Sequence, residues 1–490
     1  MKHKLFELFG IDLRALAIIR IGLALVLLGD LIVLFPDVTT FFSDEGLMSR
    51  IVLLQNNPGS WFFSFHLLNG STLFQILLLV IGALCYLALL LGWRTRLFTL
   101  LSWIFLVSLQ SRSHFILTSG DYLARMLIFW GIFLPLGRRY SMDQKLNPVL
   151  EHPPKRILSM GTLGFLSQVL IVYGFAAYSK WMDSNWLQGE AVYTALASTH
   201  FTTAVGATLS RFPLILRFLN HAILYFETFG PAFLFIPIFT SPIRSLGVLA
   251  FVLMQVSFGI CLDLGNFPWV SALMMLAFLP SSFFDWVEGR VKKAKDIGVT
   301  PFILDRSPVS NLMATFFLIL TLLLNISIKN SSLQIPEKLV WLGNAFHLYQ
   351  NWDLFVLSPD TTTSYYHWLV IRGIRKDGKE FDLLSGKDVI QWGRPPILAS
   401  LYKNIRWNKY FYNITSDDPT LFGLGWHWCR TWNRKLTGDQ QVRWVEVYLL
   451  TQQFGYPMAA INKQLLWSHV CFKEDLPPAQ ETKLQSSVLV

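Results

Sequence analysis

The sequence predicts a polytopic α-helical membrane bundle of about nine transmembrane helices, followed by a small extracytoplasmic α+β domain. Hydrophobic residues make up 53% of the 490 positions and charged residues only 15%, whereas soluble domains carry about 25% charged residues. Long apolar runs recur up to residue 328 and then stop. We therefore expect a transmembrane domain at 1–328 and an extracytoplasmic domain at 329–490.

Nine apolar runs are candidate spans, because about 20 apolar residues are needed to cross the hydrocarbon core as a helix. They cover 13–35, 72–93, 97–118, 122–137, 161–182, 213–238, 245–262, 267–285 and 309–328. The fourth run is short, and the seventh and eighth lie close together. The expected number is therefore about nine.

Basic residues are distributed unevenly between the two predicted sides. The loops on the side of the N-terminus hold fifteen of them, and the short loops on the other side hold only Arg50 and Arg211. The fifteen are Lys2, Lys4, Arg94, Arg96, Arg138, Arg139, Lys145, Lys155, Arg156, Arg244, Arg290, Lys292, Lys293, Lys295 and Arg306. By the positive-inside rule the N-terminus is cytoplasmic. Loops at anionic headgroups also explain the net charge of +10, so we expect the bilayer and no nucleic acid as a partner.

The C-terminal domain has the patterns of a small mixed fold. Residues 364–384 alternate around Asp377-Gly378, which predicts a β-hairpin. Residues 442–450 predict another strand, and residues 421–436 predict a helix.

Two further features concern how this domain is held. The aromatic segment 349–359 is expected to dock the domain on the bundle. Cys429 and Cys471 can form a disulfide if the domain faces an oxidising compartment.

The segment 171–190 places charge at the end of a predicted span. Lys180 and Asp183 stand there beside Trp181 and Trp186. A charged residue at the bilayer centre costs about 2.5–3.5 kcal/mol on insertion scales, so such residues usually face a cavity, a partner or the interface. One interpretation is an interfacial anchor, with the lysine reaching headgroups between tryptophans. The other is a functional site.

Other predicted spans also carry charge. Arg20 and Asp30 are ten residues apart, about 15 Å along a helix, and cannot pair with each other. Arg20 either ties the first helix to a carbonyl or carboxylate or belongs to a site. Asp121 and Arg125 share a helical face and are expected to form an intrahelical pair, with Asp121 capping the fourth helix.

The sixth span contains several polar residues. His221, Tyr225 and Thr228 share one helical face. A lone histidine is more often a hydrogen-bonded packing residue than a catalyst. With Glu227 close by and the helix of Lys180 before it, a polar cavity is predicted.

Several of these motifs resemble the HTTM superfamily, whose founding member is vitamin K-dependent γ-carboxylase. The resemblance covers about residues 10–290. It rests on Tyr173, Ala176, Lys180, Trp186, Gly189 and Ala191, on the Gly-Asp, Arg, Phe-Trp, Pro-Leu-Gly and Ser-x-Asp elements of residues 114–143, on residues 41–46, and on Glu227 with Gly230-Pro231.

The resemblance implies a bacterial-type member in the cytoplasmic membrane, with Lys180 as the catalytic base. In that family the matching lysine deprotonates reduced vitamin K, so the implied cofactor or substrate is a quinol or another lipid-soluble molecule. A lysine in an apolar pocket can supply a neutral amine for this step. The candidate substrate-binding residues are Arg20, His114, Asp121, Arg125, Tyr173, Asp183, Trp186, His221 and Glu227.

The chain departs from the carboxylase at one informative position. The family's important histidine falls on Gly120, and His114 lies six residues earlier. Strict glutamate carboxylation is therefore not expected. No zinc-type Cys/His spacing and no phosphate-binding glycine loop occurs in the sequence, so no metal is predicted.

A second class of function stays open at this stage. The protein can be a non-catalytic polytopic protein that acts in transport or export or as an immunity partner. The superfamily also contains a member of bacterial sporulation-delaying toxin systems, so this alternative follows from the same resemblance. Convergence of Lys180, His221 and Glu227 on one cavity would favour the enzyme.

The charge asymmetry makes a prediction about topology. A reporter fused after Val490 is expected to be extracytoplasmic, and one inserted near Lys293 cytoplasmic, because the basic loops remain inside. Reporter activity on the two sides of the membrane measures this. Both reporters on one side would mean that the number of spans is wrong by one.

Overall fold

The computed structural model describes most of the chain, and helices are its main element. The described residues are 2–56, 63–147, 154–197, 200–291, 302–305, 307–330, 332–356, 365–415, 418–453 and 460–475. Parts of three sequence predictions lie outside them: the basic residues Lys292, Lys293, Lys295 and Arg306, residues 357–359 of the docking segment, and Ser364 of the hairpin.

The described part of the first 330 residues forms a bundle of helices that run through apolar stretches. The longer helices are α1 (Leu13–Leu34), α2 (Thr72–Leu91), α3 (Thr95–Arg112), α4 (Ser119–Gly131), α5 (Met160–Trp181), α6 (Pro213–Phe233), α7 (Thr240–Cys261), α8 (Phe267–Met275), α9 (Ser281–Val291) and α10 (Pro308–Lys329). Shorter helices are Lys2–Phe9, Val38–Phe42, Arg50–Gln55, Met142–Leu146, Ser184–Gln188, Ala191–Ala197 and Ala204–Leu209. Serine side chains cap α2 and α5: Ser71 accepts from Phe74, and Ser159 accepts from Thr162.

Within the described residues, five helices are long and apolar enough to cross a membrane, which is consistent with an integral membrane protein. They are Leu13–Phe42, Thr72–Leu91, Met160–Trp181, Thr240–Cys261 and Pro308–Lys329. A sixth span results if α8 and α9, which are bent by 96° at the break between them, count as one. The predicted number of about nine is not confirmed. The other three predicted spans are helices, but α4 has only 13 residues and α6 carries charged side chains.

One end of the bundle is tied together by a small sheet that the sequence did not predict. Strands β1 (Ile11–Asp12), β2 (Arg156–Leu158) and β3 (Phe302–Leu304) pair in that order. The three strands lie shortly before α1, α5 and α10 in the chain, so the starts of these helices lie side by side. Arg14, at the start of α1, is within 3.0 Å of carboxylate oxygens of Asp12, Asp285 and Glu288.

The C-terminal region folds as a four-stranded antiparallel sheet with helices. The strand order is β5-β4-β6-β7, with β4 (Tyr365–Arg375), β5 (Glu380–Asp382), β6 (Val442–Gln453) and β7 (Asn462–Val470). The helices are α11 (Glu337–Ala345), α12 (Ile405–Asn413) and α13 (Leu421–Asn433).

Several sequence predictions in this region are confirmed. Strands β4 and β5 form the expected hairpin, and Gly378 has the positive φ of +81° that its turn requires. Strand β6 and helix α13 occupy the expected segments. A disulfide joins Cys429 to Cys471 and links α13 to the residue that follows β7.

The C-terminal region packs on the opposite end of the bundle from the small sheet, and Arg406 is the main polar contact. Its guanidinium donates to Asp121 of α4 at 2.5 and 2.8 Å, to Asp30 of α1, and to the carbonyl of Ile116 at 3.1 Å. Arg406 and Asp121 are each 3% exposed. Burial alone would lower the pKa of Arg406, but the charges of Asp121 and Asp30 hold this pKa above its usual range.

The docking segment 349–359 contacts the bundle, as predicted, in the residues that the structure describes. Gln350 hydrogen-bonds with Gln168 of α5, and Trp352 is fully buried. Asp353 accepts hydrogen bonds from Ser179 at the end of α5 and from Lys329 at the end of α10.

The predicted intrahelical pair between Asp121 and Arg125 is wrong. Asp121 instead pairs with Arg406 and forms a capping box with Thr118 at the start of α4, so its predicted capping role is confirmed. Arg125 donates to Gln110 at 2.6 Å. A residue distant in sequence outcompetes the local pair because it brings two donors to one buried carboxylate.

The expectation that intramembrane charges find polar partners is confirmed for Arg20. Its guanidinium donates to the backbone carbonyls of Leu89, Leu90 and Tyr140 at 2.9, 3.1 and 2.6 Å. The two leucine carbonyls lie at the end of α2, where helix carbonyls lack intrahelical partners. Arg20 therefore ties α1 to a neighbouring helix end.

Replacing Arg406 tests whether this contact holds the two parts together. Arg406→Ala leaves two buried carboxylates without a counter-charge, and we expect a loss of about 3–5 kcal/mol of stability. Thermal unfolding of the detergent-solubilised protein measures it. The matched control is Arg430→Ala, because Arg430 pairs with the exposed Glu45 at 3.4 Å and such pairs contribute about 0–1 kcal/mol. Equal, small losses in both variants would contradict the assignment.

Candidate functional site

A cavity lies in the bundle at the end that carries the C-terminal region. Its volume is about 400 Å³. The walls come from α5, α6 and α7 and from the short helices between α5 and α6, and Phe355 of the docking segment closes one side. Most of the lining is apolar, as in Ala176, Ile223, Leu262 and Phe267.

Lys180 and Glu227 form an ion pair inside this cavity. Lys180 lies in the last turn of α5 and Glu227 in the middle of α6, and the Nζ atom donates to Oε2 of the carboxylate. The two side chains are only 3% and 5% exposed. The pairing compensates much of the cost of removing either charge from water.

Trp186 covers the lysine from the side. The Nζ atom of Lys180 lies 4.6 Å from the centre of the Trp186 ring, a cation–π distance. The indole Nε1 donates to the carbonyl of Phe355 at 2.9 Å. Asn220 of α6 donates to the carbonyl of Trp186 at 2.8 Å, which fixes the short helix that carries the tryptophan.

This short helix has defined ends. Asp183 accepts from the backbone N–H of Asn185 at 2.9 Å and so caps its start. Gly189 ends it with a φ of +86°, a left-handed conformation that favours glycine. A Cβ atom on Gly189 would lie 2.8 Å from Cγ of Arg217 and 3.0 Å from Nε2 of His221. The chain therefore turns tightly against α6.

A second polar group lies deeper in the cavity. Nε2 of Gln255, on α7, donates to the hydroxyl of Tyr173 at 2.9 Å. Both residues line the cavity and are 1–2% exposed. The Oε1 atom of Gln255 has no hydrogen-bond partner among the described residues.

The cavity reaches the outer surface of the bundle along α7. Ser257 lines the cavity and is exposed, and Met254 and Phe258 beside it are half-buried. In a membrane, this surface of α7 faces lipid or a neighbouring protein.

Four of the ten site residues expected from the sequence line the cavity: Lys180, Glu227, Tyr173 and Trp186. Asp183 caps the short helix at its edge, and His221 packs beside Gly189 behind the cavity wall. The predicted convergence therefore holds for Lys180 with Glu227, and His221 lies apart from them.

The other four expected residues lie in different parts of the bundle. Arg20 binds helix-end carbonyls, Asp121 binds Arg406, and Arg125 binds Gln110. His114 lies in a short 3₁₀ turn after α3 and packs edge-on against Phe115.

Sequence reasoning missed three residues that shape the site. Gln255 is an isolated amide in the seventh apolar run, and intramembrane polar residues of this kind could have indicated it. Asn220 lies in the sixth run beside His221, and nothing in the sequence indicates its hydrogen bond to the carbonyl of Trp186. Phe355 lies far along the chain, and no sequence signal connects it to the cavity.

No group of three or more metal-ligating side chains occurs among the described residues.

No family model matches the chain, and neither a curated protein nor a solved structure matches it. The chemistry of the cavity and the sequence motifs therefore carry the functional argument.

Substitutions of the ion pair test its energetics. Lys180→Met leaves Glu227 buried without a counter-charge, and we expect a loss of about 3–5 kcal/mol. Lys180→Met combined with Glu227→Met replaces the pair with apolar side chains of similar size and is expected to recover most of that loss. Thermal unfolding in detergent measures both. A double variant as unstable as the single variant would contradict a buried, mutually compensated pair.

Proposed function

We propose that this protein is an HTTM-type membrane protein that binds a lipid-soluble, quinol-like molecule in the cavity and removes a proton from its hydroxyl group. The supporting observation is the Lys180–Glu227 pair inside a mostly apolar cavity of about 400 Å³. This volume falls within the range of about 300–1,000 Å³ that is usual for small-molecule sites. The exposed edge of the cavity at Ser257 is a route for a ligand dissolved in lipid.

The pair supplies the proton chemistry in two balanced steps. Transfer of a proton from the Lys180 ammonium to the Glu227 carboxylate gives a neutral amine and a neutral acid, which a low-dielectric cavity tolerates. The amine then takes the proton from the ligand hydroxyl. The resulting ammonium stays beside the ligand oxyanion and stabilises it. Lys180 is thus the base, and Glu227 sets its protonation.

Glutamate carboxylation is not part of this proposal. At Gly120, where the carboxylase has its histidine, a Cβ atom would lie 2.0 Å from Oδ1 of Asn266 and 2.4 Å from the backbone N of Phe267. These contacts leave no space for a side chain. The protein is proposed to share the base chemistry of the superfamily but not that histidine's role.

The proposed location is a bacterial cytoplasmic membrane, with the N-terminus in the cytoplasm and the C-terminal region outside. The basic residues Arg156 and Arg244 lie at the small sheet, at the opposite end of the bundle from the C-terminal region, which supports this orientation. The cavity would then lie near the outer surface, under the C-terminal region.

A non-catalytic role in transport, export or immunity is the second candidate. One observation favours it: Lys180 has a carboxylate partner and an aromatic neighbour, as a purely structural charge would also have. The two candidates differ in whether a bound hydroxyl loses its proton.

A redox-stable naphthol with an apolar tail distinguishes them, because the naphtholate absorbs at a longer wavelength than the neutral naphthol. Wild-type protein in nanodiscs at neutral pH is expected to bind it as the naphtholate, and a reduced naphthoquinone should displace it. Lys180→Arg should keep the ion pair and the binding but form the naphtholate much more slowly after stopped-flow mixing, because guanidinium stays protonated and cannot act as the base.

Lys329→Arg is the matched control. Lys329 also pairs with a carboxylate, Asp353, at the same end of the bundle, and it is outside the cavity lining. This variant should behave as wild type. Wild-type rates of naphtholate formation in Lys180→Arg would exclude the lysine base, and binding without ionisation in wild type would favour the non-catalytic candidate.

A further inference from the structure

The packing around Tyr173 and Gln255 does not explain why these two side chains are polar. The ring of Tyr173 packs at 4.9 Å from Phe251, which a phenylalanine could do equally well. A buried amide oxygen without a partner, such as Oε1 of Gln255, costs about 1–3 kcal/mol. A group that a bound molecule satisfies explains this cost.

The hydrogen-bonding capacity of the pair does not depend on how the amide is oriented. As drawn, Nε2 donates to the tyrosine oxygen, which leaves the tyrosine proton as a donor and Oε1 as an acceptor. With the amide reversed, the tyrosine donates to Oε1, which leaves the amide NH₂ as a donor and the tyrosine oxygen as an acceptor. In both cases the pair presents at least one free donor and at least one free acceptor.

The position of the pair relative to Lys180 is fixed by α5. Tyr173 and Lys180 are seven residues apart, so they share a face of the helix and lie about 10 Å apart along its axis. Apolar side chains, including Ala176 between them, fill the wall of the cavity. The cavity therefore has a polar group at each of two levels and an apolar wall between them.

We propose that the Tyr173–Gln255 pair is a second binding subsite that recognises a hydroxyl group at the far end of the ligand. A hydroxyl is both donor and acceptor, which matches the two free positions of the pair. The ligand class is then an apolar, dihydroxylated molecule with its hydroxyl groups at opposite ends, one at Lys180–Glu227 and one at Tyr173–Gln255. This inference rests on the proposed ligand-binding function and adds the ligand's second polar group.

The test compares two naphthalene probes, one with hydroxyl groups at opposite ends of the ring system and one with a single hydroxyl. We expect wild-type protein in nanodiscs to bind the diol about tenfold more tightly, as one well-placed hydrogen-bonding group provides. Gln255→Leu should reduce that ratio to about one while the single-hydroxyl probe binds as before. Tyr173→Phe, which keeps the aromatic packing, should reduce the ratio in the same direction.

Leu253→Met is the control, because Leu253 is an exposed residue of α7 outside the cavity lining. It should keep the tenfold ratio. If wild type binds both probes equally, or if Gln255→Leu keeps the ratio, the second subsite is wrong while the proposed function stands. If wild type binds neither probe, the proposed function fails and the subsite fails with it.

Discussion

The structure depends on the burial of Arg406 between Asp30 and Asp121. A guanidinium buried in an apolar interface needs oxygen acceptors around it, and α1 and α4 supply two carboxylates at this point. The contact fixes α12 on one end of the bundle. The interface there also holds the docking segment, which places Phe355 at the edge of the cavity. A pocket within the bundle is thus completed by a residue about 175 positions beyond Lys180.

The bundle uses buried charges in two different ways. Arg406 has several strong acceptors and connects parts of the chain, as do Arg14 and Arg20 at other helix ends. Lys180 has one carboxylate and one aromatic ring, and both it and Glu227 border empty space. Arginine stays charged and is suited to permanent contacts, whereas lysine can give up its proton in an apolar site. The arginine side chain of Arg406 therefore suits a structural contact, and the lysine side chain of Lys180 suits the proposed proton transfer.

The tight packing of Gly120 connects the fold to the proposed chemistry. The start of α4 approaches Asn266 and Phe267 so closely that only a hydrogen fits, and Phe267 lines the cavity. Asn266 also donates to Asp121 at 3.2 Å. The lack of a side chain at Gly120 allows α4 and α8 to approach each other. The buried polar side chains of the cavity lining include Lys180, Glu227, Tyr173 and Gln255.

The sequence by itself determined the helical membrane class, the β-hairpin at Gly378, the strand β6 and the helix α13, because these follow from local periodicity and turn chemistry. It also indicated Lys180 and Glu227, since charges in apolar runs need partners. Only the tertiary structure decided which partners they have. Asp121 binds Arg406 rather than Arg125, His221 lies behind the cavity wall, and Gln255 faces Tyr173, because these contacts depend on how helices pack and rotate against each other. Sequence spacing records neighbours along one helix, and it contains no distance between side chains on different helices.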